Sequence, residues 1–216
     1  MEDISKYQTF NLYHEGISPI DNPDPYHTEG SADFGLGFYC TQNFNQAIEW
    51  GKHKLKTAKN LAREEYAVSE YKFHNKKNLT FKYYDSPSAE WMETVYKGRR
   101  GLNINADVVT GPVADAGIRD LIIQIEHELE EIYYPDDFKK YLKCRKEIFE
   151  KAAEKAIPYK YKNYDQEVFL SENAIGQLEF LGARIYDKNN TFCKYMDKEG
   201  LIHKVKTQKK DTILRR

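Results

Sequence analysis

Hydrophobic residues recur along the chain in short runs separated by polar stretches rich in glycine and proline, and the period of each run predicts its element. Phe10 to Tyr13 reads as a strand ending at His14, and the stretch that follows, IDNPDPYHTEGSADFG, is too rich in Asp, Pro and Gly to be helical. Phe38 to Thr41 reads as the next strand, after which Asn43 with Gln46 three residues on has the form of a helix cap. Ala47, Trp50, Ala58, Leu61 and Ala62 then fall at near-helical spacing and predict an amphipathic helix to about Glu65. Tyr66 to Phe73 and Leu79 to Tyr83 alternate as strands. Ser86 before Pro87 predicts a capped helix with Trp91 and Val95 on one face, ending at Gly98.

Asp107 to Thr110 predicts a buried strand leading into GPVADAG. Ile118, Leu121, Ile122, Ile125, Leu129 and Ile132 mark the most regular amphipathic helix of the chain. Phe138, Tyr141, Leu142, Phe149 and Ala152 mark a second, from about Asp136 to Ala156, which stops before Pro158. Beyond the aromatic and basic stretch KAIPYKYKNYD, Gln166 to Leu170 predicts a strand and Glu172 to Phe180 a short helix. Ala183 to Lys206 predicts strands with turns at KNN and DKEG. This order of elements predicts an α+β fold: one domain over residues 1–182, appended strands over 183–206 and a basic tail over 207–216.

Composition narrows the classes without choosing among them. A chain of 216 residues with 40% hydrophobic and 31% charged residues has the material for one substantial core. Its net charge of −1 supplies no global field for nucleic acid or an anionic membrane, so such a partner would need a local patch. No basic start precedes an apolar segment and no stretch approaches the ~20 apolar residues of a membrane span, so no membrane partner and a cytoplasmic location are expected. Cys40, Cys144 and Cys193 are widely spaced with no CxxC, which predicts reduced thiols and no metal site. GLG at 35–37 lacks the third glycine and the strand-to-helix order of a dinucleotide fingerprint, and no GxxxxGK[ST], HExxH or GxSxG occurs.

What remains is a set of polar and aromatic residues at strand ends, and these carry a resemblance. FGLGFYCTQNFNQAIEW is similar to the glycine-rich strand and following helix of the His-Tyr-Glu class of ADP-ribosyltransferases, which includes poly(ADP-ribose) polymerases and diphtheria-type toxins. The chain resembles still more a bacterial family of unknown function related to these enzymes, marked by YHG, DFGxGFYxT, GPVA and a late Asp-Gln strand. LYHEG, DFGLGFYCT, DVVTGPVAD and YDQEVFLSENAI match in that order over roughly Leu12 to Leu181, with Glu15 replacing the usual glycine. The resemblance implies a split, mainly antiparallel sheet flanked by helices, with an NAD+ cleft.

It also implies roles. His14 would bond a ribose hydroxyl, Tyr39 and Trp50 would flank the nicotinamide, and Gly37, Phe38 and Thr41 would complete the NAD+ contacts. Cleavage of the nicotinamide–ribose bond passes through an oxocarbenium-like state that needs positive charge stabilised at the anomeric carbon. The class usually supplies a Glu on the late strand, where this chain aligns Gln166, with Glu167 beside it as the alternative. Adjacent strand residues face opposite ways, so only one can enter the cleft. Tyr159, Tyr161 and Tyr164, interleaved with lysines before that strand, suit a stacked single-stranded acceptor. By spacing alone the plainer readings come first: His14 as an ordinary hydrogen-bonded histidine, Tyr39 and Trp50 as core, and the Lys-rich loop as solvated. The expectation is a mono-ADP-ribosyltransferase, a toxin or defence effector acting on RNA, DNA or protein and accompanied by an antitoxin or inhibitor. An NAD+ glycohydrolase and an inactive nucleotide-binding module are the alternatives.

Overall fold

The computed structural model describes residues 9–26, 32–57, 64–75, 78–114, 117–132, 137–156 and 163–205. Strands with alternating burial build two sheets. The first runs β1 (Thr9–Gly16), β3 (Glu65–His74), β7 (Leu178–Asp187), β8 (Phe192–Met196) and β9 (Ile202–Lys204), antiparallel throughout. The second runs β2 (Phe38–Cys40), β6 (Asp165–Phe169), β5 (Val108–Pro112) and β4 (Phe81–Tyr83), with β4 and β5 parallel and the other pairs antiparallel. The fold is therefore α+β with mainly antiparallel sheets.

Three apolar clusters set the layers. Leu12, Phe38, Tyr71, Phe73, Val108 and Phe169 fill the space between the two sheets. On the outer face of the first sheet, α1 (Phe44–Thr57) packs Ala47 and Ile48 against Tyr66, Val68 and Tyr186. On the outer face of the second, Val109 and Val168 meet Trp91, Val95, Ile122 and Phe149 from α2 (Ala89–Arg99), α3 (Ile118–Glu130) and α4 (Phe138–Lys155). Strands buried on both faces need this arrangement, because each face must find an apolar partner. No helix among the described residues is long and apolar enough to cross a membrane.

Several elements differ in extent from the sequence pattern. The described part of α1 ends at Thr57, residues 58–63 lie outside the described residues, and Glu65 opens β3 by pairing with Asp187. Ser88, not Ser86, caps α2: its Oγ accepts from Trp91 N at 3.1 Å, which leaves Pro87 before the cap. The short helix expected to reach Phe180 is α5 (Glu172–Ile175), because Leu178 and Phe180 join the ladder opposite Phe73 and Tyr71. β7 thus runs across the boundary expected at 182/183, and β8 and β9 extend the sheet beyond it. The basic tail from 207 lies outside the described residues.

One contact fixes the helices to the strand-leading loop. A Cβ on Gly98 in α2 would meet Asp33 O, and would lie 2.5 Å from Phe34 C and 2.6 Å from Gly35 N, so only glycine lets that backbone approach. Gly98→Ala is expected to lower stability by about 1–3 kcal/mol through forced backbone displacement. Urea unfolding checks this, and an unchanged midpoint would show that the loop yields freely.

Candidate functional site

The two sheets are stitched at one place. Tyr13 N donates to Thr41 O at 2.8 Å and Thr41 N returns a bond to Tyr13 O at 2.9 Å, an isolated antiparallel bridge between the end of β1 and the residue after β2. Beside it, the His14 ring stacks on Phe38 with centroids 4.4 Å apart, and Nδ1 lies 2.6 Å from Tyr39 O. A carbonyl oxygen only accepts, so Nδ1 carries the proton and Nε2 keeps its lone pair. Burial lowers the His14 pKa, outweighing the nearby Glu15 carboxylate, and the neutral ring is favoured.

Glu167 shares this side of the second sheet. It pairs opposite Cys40 on β2, two residues from the Phe38–Phe169 pair, so Phe38, Cys40, Glu167 and Phe169 all face the space between the sheets. Only 2% of Glu167 is exposed; Oε1 accepts from Gln42 Nε2 at 2.8 Å, while buried Oε2 has no hydrogen-bond partner among the described residues. Desolvation pushes its carboxyl up to about 7, opposed by the Gln42 bond and reinforced by Asp165. Burial, with Glu167 and Glu15 nearby, also drives the Cys40 thiol well above its ordinary value and keeps it protonated.

Gln166 faces the other way, into a network centred on Asp33. Its Nε2 donates to Asp33 Oδ2 at 2.8 Å and to Pro112 O at 3.2 Å. The same carboxylate accepts from Ala114 N at 2.7 Å and forms an ion pair with Arg99. Burial still holds Asp33 above its ordinary pKa, against the pull of Arg99 and the two other donors. Tyr39 also points to this side: its hydroxyl accepts from Phe34 N and donates to Gly35 O, each at 2.9 Å. Gly111 lies in the same region, where a Cβ would come within 3.3 Å of Trp91 Cδ1, and Trp91 Nε1 donates to Pro112 O at 3.2 Å. The DFG, GPVA and Asp-Gln stretches therefore meet as a framework, and the Ala114 N–H is occupied by Asp33.

The other expected residues divide in the same manner. A Cβ on Gly37 would lie 2.6 Å from Val168 Cγ1, so its role is close packing of β2 on β6. Thr41 makes the sheet-to-sheet bridge, and its Oγ1 accepts from Asn43 N at 3.0 Å. Trp50 is half-buried on α1 with its ring edge-on to His53. It lies one turn from Gln46, which donates to Asp165 O at 2.7 Å, and one turn from Lys54, which reaches Glu15 O at 2.8 Å and Glu15 Oε1 at 2.9 Å. Helical spacing thus puts Trp50 on the same face of α1 as Gln46 and Lys54. Tyr164 O accepts from Val113 N at 3.0 Å, while Tyr159 and Tyr161 lie outside the described residues. Sequence reasoning missed Asp33, Arg99, Gln42 and Lys54. Asp33 alone carried a signal, as the acid opening DFG. Among the described residues no group of His, Cys, Asp or Glu is arranged to hold a metal ion.

The chain is thus an α+β protein in which the motif residues of β2 and β6 separate onto the two faces of the second sheet. A family model described as a protein of unknown function (DUF3990) matches residues 10–180, and the chain belongs to that family. The matched span contains the YHE, DFG, GPVA and Asp-Gln stretches. No curated protein and no solved structure matches it.

The buried Glu167 makes stability depend on pH. Its folded pKa lies above the ordinary 4.5, so its contribution is fully present below about 4.5 and is lost as pH rises through about 7. The loss amounts to roughly 3 kcal/mol. Glu167→Gln keeps an oxygen for Gln42 and is expected to flatten the profile and to be more stable than the wild type at about pH 8. Urea midpoints at acid and alkaline pH check this; a wild type equally stable at both would show that Glu167 is hydrated.

Proposed function

We propose that this protein is an NAD+-dependent mono-ADP-ribosyltransferase, acting as a bacterial toxin or defence effector on nucleic acid or protein. The observation that carries the reading is the pairing, toward one inter-sheet space, of the His14 ring with a buried carboxylate, Glu167, whose Oε2 is without a partner among the described residues. The motif resemblance supplies the chemistry those groups would serve. Gln166 is held by Asp33 and Pro112, which favours Glu167 for the late-strand role.

In this reading His14 Nε2 accepts a ribose hydroxyl and orients the sugar. Ionised Glu167 stabilises the positive charge that develops at C1′. The C1′–nitrogen bond breaks with its electron pair leaving on nicotinamide, the acceptor nucleophile bonds C1′, and the acceptor proton passes to Glu167. A carboxyl with its pKa pushed to about 7 is suited to both states. Tyr39 and Gln166 brace the opposite face of the second sheet, and Trp50 on α1 would flank the nicotinamide.

The test is incubation of the full chain with labelled NAD+ and a cell lysate, with and without nuclease, following free nicotinamide and transferred label. Transfer is expected to fall at least about 100-fold in His14→Ala and Glu167→Gln. In Gln166→Glu, which introduces a second carboxylate at Asp33, the expected loss is of stability. Nicotinamide release without transfer would make the protein an NAD+ glycohydrolase. Absence of both binding and turnover would leave a nucleotide-free or inactive module and remove the enzyme reading.

A further inference from the structure

The face of the first sheet that carries His14 continues across all five strands. Cα pairing places Gly16, Ala67, Ile185, Lys194 and Lys204 in one row on that face, about 7 Å along the strands from the His14 row. Over the Lys204 end of this row lies a cavity of about 430 Å³, walled by Ile17, Ser18 and Pro19 of the segment after β1 and floored by Ala67, Ile185 and Ile202. That volume falls in the range of small-molecule sites, and its mixture of apolar floor and a few convergent polar groups is the usual composition of one.

The charges in it are unbalanced in a specific way. Lys194 and Lys204 are direct partners on β8 and β9, and both line the cavity. Like charges opposite each other on adjacent strands repel. Glu65 takes Lys194 at 2.8 Å, but Lys204 is exposed and has no ion-pair partner among the described residues. Two ammonium groups and one carboxylate leave a single positive charge to be met. A phosphodiester carries one negative charge, whereas a terminal phosphate approaching two would meet the Glu65 carboxylate in excess.

We propose that this cavity binds a nucleotide unit through a singly charged phosphodiester, with the phosphate between Lys204 and Lys194 and the base against Ala67, Ile185 and Ile202. Its two lysines come from β8 and β9, beyond the family-matched span, while Ile17 to Pro19 and Ala67 lie within it, and the site does not depend on the NAD+ reading. The phosphodiester can belong to a cyclic nucleotide or to a strand of nucleic acid.

The full chain is titrated calorimetrically with 3′,5′-cyclic AMP and with a short oligoadenylate, with AMP as the doubly charged control. At least one diester probe is expected to bind more tightly than AMP. Lys204→Ala is expected to weaken it about tenfold and Lys204→Arg to restore it. His14→Ala is expected to leave it unchanged. Binding of the cyclic nucleotide alone assigns a free ligand, and binding of the oligonucleotide assigns a strand. The proposal is overturned if neither diester binds, if AMP binds better than both, or if Lys204→Ala binds as the wild type does. It is equally overturned if His14→Ala abolishes binding, because the nucleotide then occupies the His14 row. Circular dichroism of each variant confirms that the fold is retained.

Discussion

The carboxylate of Asp33 is the point on which the arrangement of the second sheet depends. It gathers Arg99 from the end of α2, Ala114 from the turn after β5 and Gln166 from β6, three segments far apart in sequence. A carboxylate so buried costs several kcal/mol unless paired, and these donors offset part of that cost. The bonds also fix the loop before β2. Gly98 lets α2 touch the backbone at Asp33 to Gly35, and the Tyr39 hydroxyl closes the loop on Phe34 and Gly35. β2 therefore enters the sheet in one register, with Phe38 and Cys40 directed inward.

From that register follows a division between adjacent residues. On β2, Tyr39 serves the framework while Phe38 supports His14; on β6, Gln166 serves the framework while Glu167 enters the space between the sheets. The pleat enforces this, since neighbouring side chains on a strand cannot share a face. A motif read as a block of letters conceals that its members belong to two different environments. In DQEVF the Gln166 Nε2 is held by Asp33 and Pro112, whereas Glu167 Oε2 has no hydrogen-bond partner among the described residues.

Much of the fold was legible because the amphipathic signals were local. Ile118, Ile122 and Ile125 form the buried stripe of α3, and Asn43 caps α1 by accepting from Gln46 N at 3.2 Å. What the pattern could not give were extents decided by distant pairing: β3 begins at Glu65 and β7 at Leu178 because each finds a ladder partner. The candidate site draws on residues of unequal standing in the motifs. The motifs name His14 and Phe38, and Gln166 with Glu167 only as its alternative; which of the two faces the inter-sheet space follows from the phase of β6 against β2 and β5. Asp33 was overlooked since an acid in a polar loop reads as solvated until a guanidinium is found facing it.

The pairing of β8 along β7 also has a bearing on solubility. β7 is a ten-residue strand, and β8 lies along its outer edge at Ala183 to Tyr186. A chain of this family ending with β7 would present that edge bare, with Ile185 and Tyr186 uncovered, and a bare edge invites pairing between molecules. Among the described residues that edge falls to β9, three residues long and bearing His203 and Lys204, which is short and polar enough to discourage such growth. The β8–β9 hairpin thus shields the longer edge of β7.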